Sequence, residues 1–123
     1  MSAIKTRAEA WSLLCDYTQS ESLLKHALSV EAALLFYADK LGGDRELWGN
    51  TGLLHDFDYE KFPNYSLEGP SPSGHPFEGC KILTDLGYPK EMTDAILGHA
   101  TYSGVARLTD LAKALLLVMN SVV

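Results

Sequence analysis

The chain has 123 residues, 46% of them hydrophobic and 21% charged, which is typical of one globular domain with a hydrophobic core. The net charge of −6 argues against an extended nucleic-acid surface, because phosphate contacts need clustered lysine and arginine. The most apolar stretch is shorter than the roughly 20 residues that span a bilayer, and the N-terminus lacks the apolar region of a signal peptide. We therefore expect a cytoplasmic protein without a membrane partner.

The hydrophobic pattern predicts helices separated by short turns. A weak helix over residues 5–17 precedes a strong one over 21–41, whose apolar residues recur at helical spacing and which a glycine pair ends. Asp44 has the side chain of an N-cap for a third helix, roughly 45–55.

Residues 57–74 are rich in proline, glycine and serine and predict one long loop of the kind that is often functional or mobile. Two further helices are predicted over 76–86 and 89–100, and Thr109 can cap a last one that runs to the C-terminus. No segment alternates with a period of two residues. The sequence therefore predicts an all-α fold, a compact bundle of about five to six helices.

Four histidines fall at informative places in this pattern. His26 lies at the edge of the apolar stripe of the second helix, whereas His55 and His99 continue the apolar series of the third and fifth helices. His75 stands between the long loop and the fourth helix, and Asp56 directly follows His55. One shared divalent cation would satisfy these groups together, since imidazole and carboxylate are both metal ligands. Separately hydrogen-bonded core histidines are the alternative.

Several other catalytic patterns are absent from the sequence. It contains no HExxH zinc-protease motif, no CxxC pair, no GxSxG nucleophile elbow and no glycine-rich phosphate loop. Cys15 and Cys80 are far apart, and we interpret them as reduced core thiols rather than a disulfide.

Four segments place the histidines in a characteristic order over roughly residues 20–118. They read KHALSVEAALLFYADKLGGDRELWGNTGLLHDFDYEKFP, GHPFEGCKIL, AILGHATYSGV and TDLAKALLLV. In this order they resemble the HD-domain superfamily of metal-dependent phosphohydrolases, in particular its small bacterial members.

The resemblance implies that His26, His55 and Asp56 bind a first divalent metal ion, and that His75 and His99 match the histidines of a second. Asp56 would then bridge the two ions, and these two carboxylates, Asp56 and Asp58, form the candidate catalytic set. Asp58 would orient a ligand, with an exposed acid at the helix end as the alternative. The implied cofactor is Mn, Fe, Co, Ni, Zn or Mg. The implied reaction is hydrolysis of a small phosphorylated metabolite or nucleotide by a metal-activated water.

The sequence departs from the family near its end. Relatives carry a metal-binding aspartate six residues after the lysine of AKAL, where this chain has Met119, and a thioether cannot replace a carboxylate on such an ion. Asn120 and Asp110 point to other faces of the same helix. Relatives also continue beyond this point, so we expect a single domain over 1–123 that is either naturally shortened at its C-terminus or represented by a sequence that ends early.

Three functions stay open at this stage: an active phosphohydrolase, a catalytically degenerate metal- or ligand-binding module of the same fold, and a purely structural helical domain. Lys61 and Arg107 lie in predicted loops and are candidates for phosphate contacts, with simple solvation as the alternative. We also expect the apolar C-terminal helix to be buried in a homodimer.

Overall fold

A computed structural model describes residues 5–121, and these residues form six α-helices and one short 3₁₀ turn at Thr101–Ser103. The helices are α1 Arg7–Tyr17, α2 Glu21–Leu41, α3 Arg45–Leu54, α4 Phe77–Asp85, α5 Lys90–His99 and α6 Asp110–Ser121. The only strand-like pairing in the described part is one antiparallel bridge between Ser66 and Ser73, inside the long loop. The predicted all-α class is therefore confirmed.

Local capping signals explain why the helices begin and end close to their predicted positions. The side chain of Ser20 accepts a hydrogen bond from the first turn of α2, Asp44 does the same for α3, and the hydroxyl of Thr109 does so for α6. Each cap satisfies a backbone N–H that the helix itself leaves without a partner. At the other end of α2, Gly42 adopts a φ of 73°, which is strained for any residue with a side chain.

Helix α2 lies at the centre of the packing, against α3 on one side and α6 on another, while α5 packs on α6 and α4. The contact with α3 is exceptionally close at Gly52, where a methyl group would lie 2.8 Å from both Cα and the backbone nitrogen of Glu31. The backbones of α2 and α3 are therefore in direct contact at this point. This approach brings the helix that carries His26 next to the helix that ends before His55.

No helix within the described residues is both long enough and apolar enough to span a membrane. Cys15 and Cys80 are free thiols, as predicted, and burial raises the pKa of the Cys80 thiol to about 12. Helix α6 buries Leu111 and Leu115 completely and leaves Leu117 half exposed. The homodimer that we expect on this face stays a prediction.

Candidate metal centre

Five candidate ligands converge from four separate parts of the fold. His26 lies in the second turn of α2, and His55 caps the C-terminal end of α3, with Asp56 directly after it. His75 lies two residues before α4, at the end of the long loop, and His99 is the last residue of α5. The structure therefore brings together all five residues that the sequence indicates as metal ligands.

The ligand atoms form two groups that share one carboxylate. In the first triad, Nε2 of His26 lies 3.1 Å from Nε2 of His55, and Oδ2 of Asp56 lies 3.6 Å and 3.2 Å from these two atoms. In the second triad, Oδ1 of Asp56 lies 3.2 Å from Nε2 of His75 and 3.7 Å from Nε2 of His99. Each oxygen of Asp56 thus faces its own pair of histidines.

These separations fit a bound cation. Donor atoms held at about 2.1 Å from one ion in octahedral or tetrahedral geometry lie roughly 3.0–3.4 Å apart. The distances of the first triad come close to this range, and so do the two distances from Asp56 in the second triad. Within each triad all three donor atoms lie within 4.8 Å of one another. Two imidazoles with one carboxylate suit borderline divalent ions such as Mn, Fe, Co, Ni and Zn.

Backbone carbonyls fix the orientation of two of the rings. Nδ1 of His55 lies 2.7 Å from the carbonyl oxygen of Gly52, and Nδ1 of His99 makes the same i−3 contact with the carbonyl of Ile96. A carbonyl can only accept a hydrogen bond, so Nδ1 carries the proton in both rings. Nε2 of each ring is therefore left to face the site.

A buried carboxylate fixes the ring of His75. Oδ1 of Asp58 lies 2.6 Å from Nδ1 of His75, and Oδ2 accepts a hydrogen bond of 2.8 Å from the backbone nitrogen of Gly79. Asp58 is 1% exposed, and a methyl group at Gly79 would collide with its carboxylate. Asp58 thus holds the ring of a candidate ligand and is not itself part of either triad, so we interpret it as a positioning residue.

Electrostatic interactions within the centre favour the ionised form of Asp56 and the protonated forms of His26 and His75. Burial alone would raise the pKa of Asp56, but His55, His26 and His75 outweigh it and hold that pKa far below its usual range. For the imidazole of His75, burial acts in the opposite direction and lowers the pKa. Its hydrogen bonds to Asp56 and Asp58 outweigh burial and raise the pKa to about 9. The hydrogen bond with Asp56 also raises the pKa of His26.

Contacts that sequence reasoning missed tie the segment after Asp56 to the turn before α2. The carboxylate of Glu60 accepts hydrogen bonds from the backbone nitrogens of Gln19 at 3.1 Å and Ser20 at 2.9 Å. In addition, the hydroxyl of Thr18 donates to the carbonyl of Phe57 at 3.0 Å. The segment with the ligand pair therefore fixes the start of the helix that carries His26. No local pattern signals a bond between residues about 40 positions apart.

Helix α6 contributes no ligand to the groups that the described residues form. Met119 packs, partly buried, against the hydrophobic core, and both Asp110 and Asn120 are exposed. Each triad therefore offers three protein donors. An ion with four to six ligands would complete its coordination with water or substrate.

The sequence was compared with families of known proteins. The family model described as HD domain matches residues 23–117, which is well over half of the chain and includes every candidate ligand. No curated protein and no solved structure matches the chain.

Proposed function

The chain belongs to the HD-domain family, which lies in the metal-dependent phosphohydrolase superfamily, and we propose that it hydrolyses the phosphoester of a small phosphorylated metabolite or nucleotide. The observation that carries this proposal is Asp56, whose two carboxylate oxygens face two separate pairs of histidines. A carboxylate shared by two pairs of histidines is the arrangement that two neighbouring cations, or one cation and a phosphoryl oxygen, would need.

The roles of the side chains follow from their contacts. His26, His55 and Asp56 would hold one ion, and Asp56 would share a second with His75 and His99. A bound divalent cation would supply hydroxide near neutral pH and withdraw charge from the phosphoryl group. Asp58 keeps the proton of His75 on Nδ1, so that Nε2 stays directed at the site. The positions that these residues leave open would admit the phosphoryl oxygens.

The loop over residues 57–74 is the part of the chain that we propose for substrate selection. It connects Asp56 to His75 and is anchored beside the site, because the ring of Tyr65 stacks on that of Tyr102 with 3.7 Å between centroids. The hydroxyl of Tyr102 in turn donates to the carbonyl oxygen of His75 at 3.0 Å. Tyr65 is 48% exposed, so one aromatic face beside the centre can contact the organic part of a substrate.

Metal analysis followed by a phosphoester panel tests the proposal. We expect the untagged chain to bind about one or two equivalents of Mn, Fe, Co, Ni or Zn and to turn over at least one phosphorylated metabolite or nucleotide. Chelation should abolish turnover, and the same metal should restore it. A chain that takes up no metal from excess Mn, Fe, Ni or Zn would refute the proposal.

A catalytically degenerate metal-binding module is the second candidate function. One observation favours it: α6 offers no carboxylate to either triad, so among residues 5–121 each triad has three candidate protein ligands. Stoichiometric metal without turnover across the whole panel would support this candidate over the enzyme.

Metal binding should strengthen as the pH rises. In the metal-free protein the pKa of His75 is raised to about 9, so this ring is protonated at pH 7 and must lose a proton to bind metal. For this one proton we expect the apparent Mn²⁺ affinity to rise by up to about tenfold per pH unit between pH 6.5 and 8.5. Calorimetry in two buffers with different ionisation enthalpies measures the protons released, and zero release at pH 7 would contradict this expectation.

A further inference from the structure

Phosphate recognition usually needs a fixed cationic side chain, and the chain contains ten lysines and arginines. Eight of them already have partners. Four form ion pairs with carboxylates, three lie over aromatic rings and one donates to a backbone carbonyl. Lys61 is one of the three, with its Nζ 4.5 Å from the ring centroid of Tyr17. Only Arg107 and Lys113 have no such partner within the described residues.

These two side chains differ in their surroundings. Lys113 is exposed on the outer face of α6, whereas Arg107 is partly buried in the segment before that helix. The Nε atom of Arg107 is fully buried, and across residues 5–121 it is the single buried side-chain nitrogen or oxygen without a hydrogen-bond partner. Because Nε is enclosed by the protein, an acceptor from solution cannot reach it, whereas the two Nη nitrogens also lack a partner in the described residues and are not buried. The Nη nitrogens are therefore the donors of Arg107 that remain open to an external acceptor.

Arg107 packs against the helix that carries His99 of the second triad. Its Cγ lies 3.2 Å from the point where a Cβ atom of Gly98 would be, so its stem rests on the last turn of α5. Gly98 directly precedes His99, whose Nε2 lies 3.7 Å from Oδ1 of Asp56. The guanidinium without a partner therefore belongs to a side chain whose stem packs against the residue that directly precedes a candidate ligand.

We propose that Arg107 binds the phosphoryl group of the substrate through its guanidinium, beside the second triad. The inference rests on the proposed function and adds the residue that recognises the phosphate. A guanidinium presents paired N–H donors that match two oxygens of a phosphate, and it stays charged at any physiological pH. Two phosphoryl oxygens would supply the acceptors that the two exposed Nη nitrogens lack.

Binding of inorganic phosphate to the Mn²⁺-loaded chain tests this role by calorimetry. We expect Arg107→Gln to weaken phosphate binding at least tenfold and to raise the KM for the phosphoester found in the panel, with metal stoichiometry unchanged. Arg107→Lys should be intermediate, since lysine keeps the charge but not the paired donors. The control Lys113→Gln removes the other unpartnered cation and should bind phosphate as the original chain does.

The outcomes separate this inference from the proposed function. If the original chain binds neither metal nor phosphate, both are wrong. If it binds metal and hydrolyses a phosphoester, but Arg107→Gln binds phosphate with unchanged affinity, only the role of Arg107 is refuted. Should the glutamine variant fail to fold, the lysine variant decides, because phosphate affinity equal to that of the original chain would also overturn the proposal.

Discussion

Replacing Asp56 by asparagine should abolish metal binding by both triads and lower phosphoester turnover by roughly 10³-fold or more. Both carboxylate oxygens face histidine pairs, so this one substitution removes the negative charge that the two triads share. An amide is a weak ligand for divalent ions and cannot bridge two of them with both of its polar atoms. Metal content per chain and steady-state kinetics measure the two effects.

The matched control is Asp39→Asn, which removes an exposed carboxylate from a surface ion pair with Arg45. We expect this variant to keep its metal and its turnover, because surface pairs contribute about 1 kcal/mol or less to stability. Full metal content and activity in Asp56→Asn itself would show that Asp56 is not the shared ligand.

Substituting alanine for Gly52 should destabilise the fold by about 1–3 kcal/mol, although alanine is normally the better residue in a helix. The added methyl group would lie 2.8 Å from Cα and the nitrogen of Glu31, and backbone atoms cannot rotate aside as a side chain can. α2 and α3 must therefore separate, which also moves His26 away from His55. Denaturant unfolding and metal titration measure the two consequences.

Gly49→Ala provides the control for this substitution, since it lies one turn earlier in the same helix. Its new methyl group would meet the flexible end of the Leu35 side chain at 3.1 Å, which can shift at little cost. We expect its stability to change by less than about 1 kcal/mol. Equal stability in the two variants would contradict the close backbone contact at Gly52.

The sequence predicts those features of this protein that depend on neighbouring residues. Ser20, Asp44 and Thr109 all cap helices through bonds that reach only three residues along the chain, so the helix bounds could be predicted closely. The five candidate ligands could be named because they occur in recognisable local contexts that the family shares.

The rest depends on contacts between distant parts of the chain. Glu60 binds the turn at residues 19 and 20, and the ring of His75 is held by Asp58 from the other end of the long loop. The sequence leaves Arg107 as a loop residue that could contact phosphate or be solvated, and only the tertiary structure shows that it is a partly buried cation without a partner, packed on Gly98. Such relations arise from the tertiary fold, and no periodicity or short motif contains them.

The convergence of ligands from four segments has a consequence for folding itself. Ions bound to the two triads, which share Asp56, would cross-link the start of α2, the end of α3, the end of the long loop and the end of α5, which are brought together only in the native state. Because the unfolded chain lacks this arrangement, free metal shifts the folding equilibrium by mass action. The metal supply would then help to set how much folded protein a cell maintains, independently of any reaction at the centre.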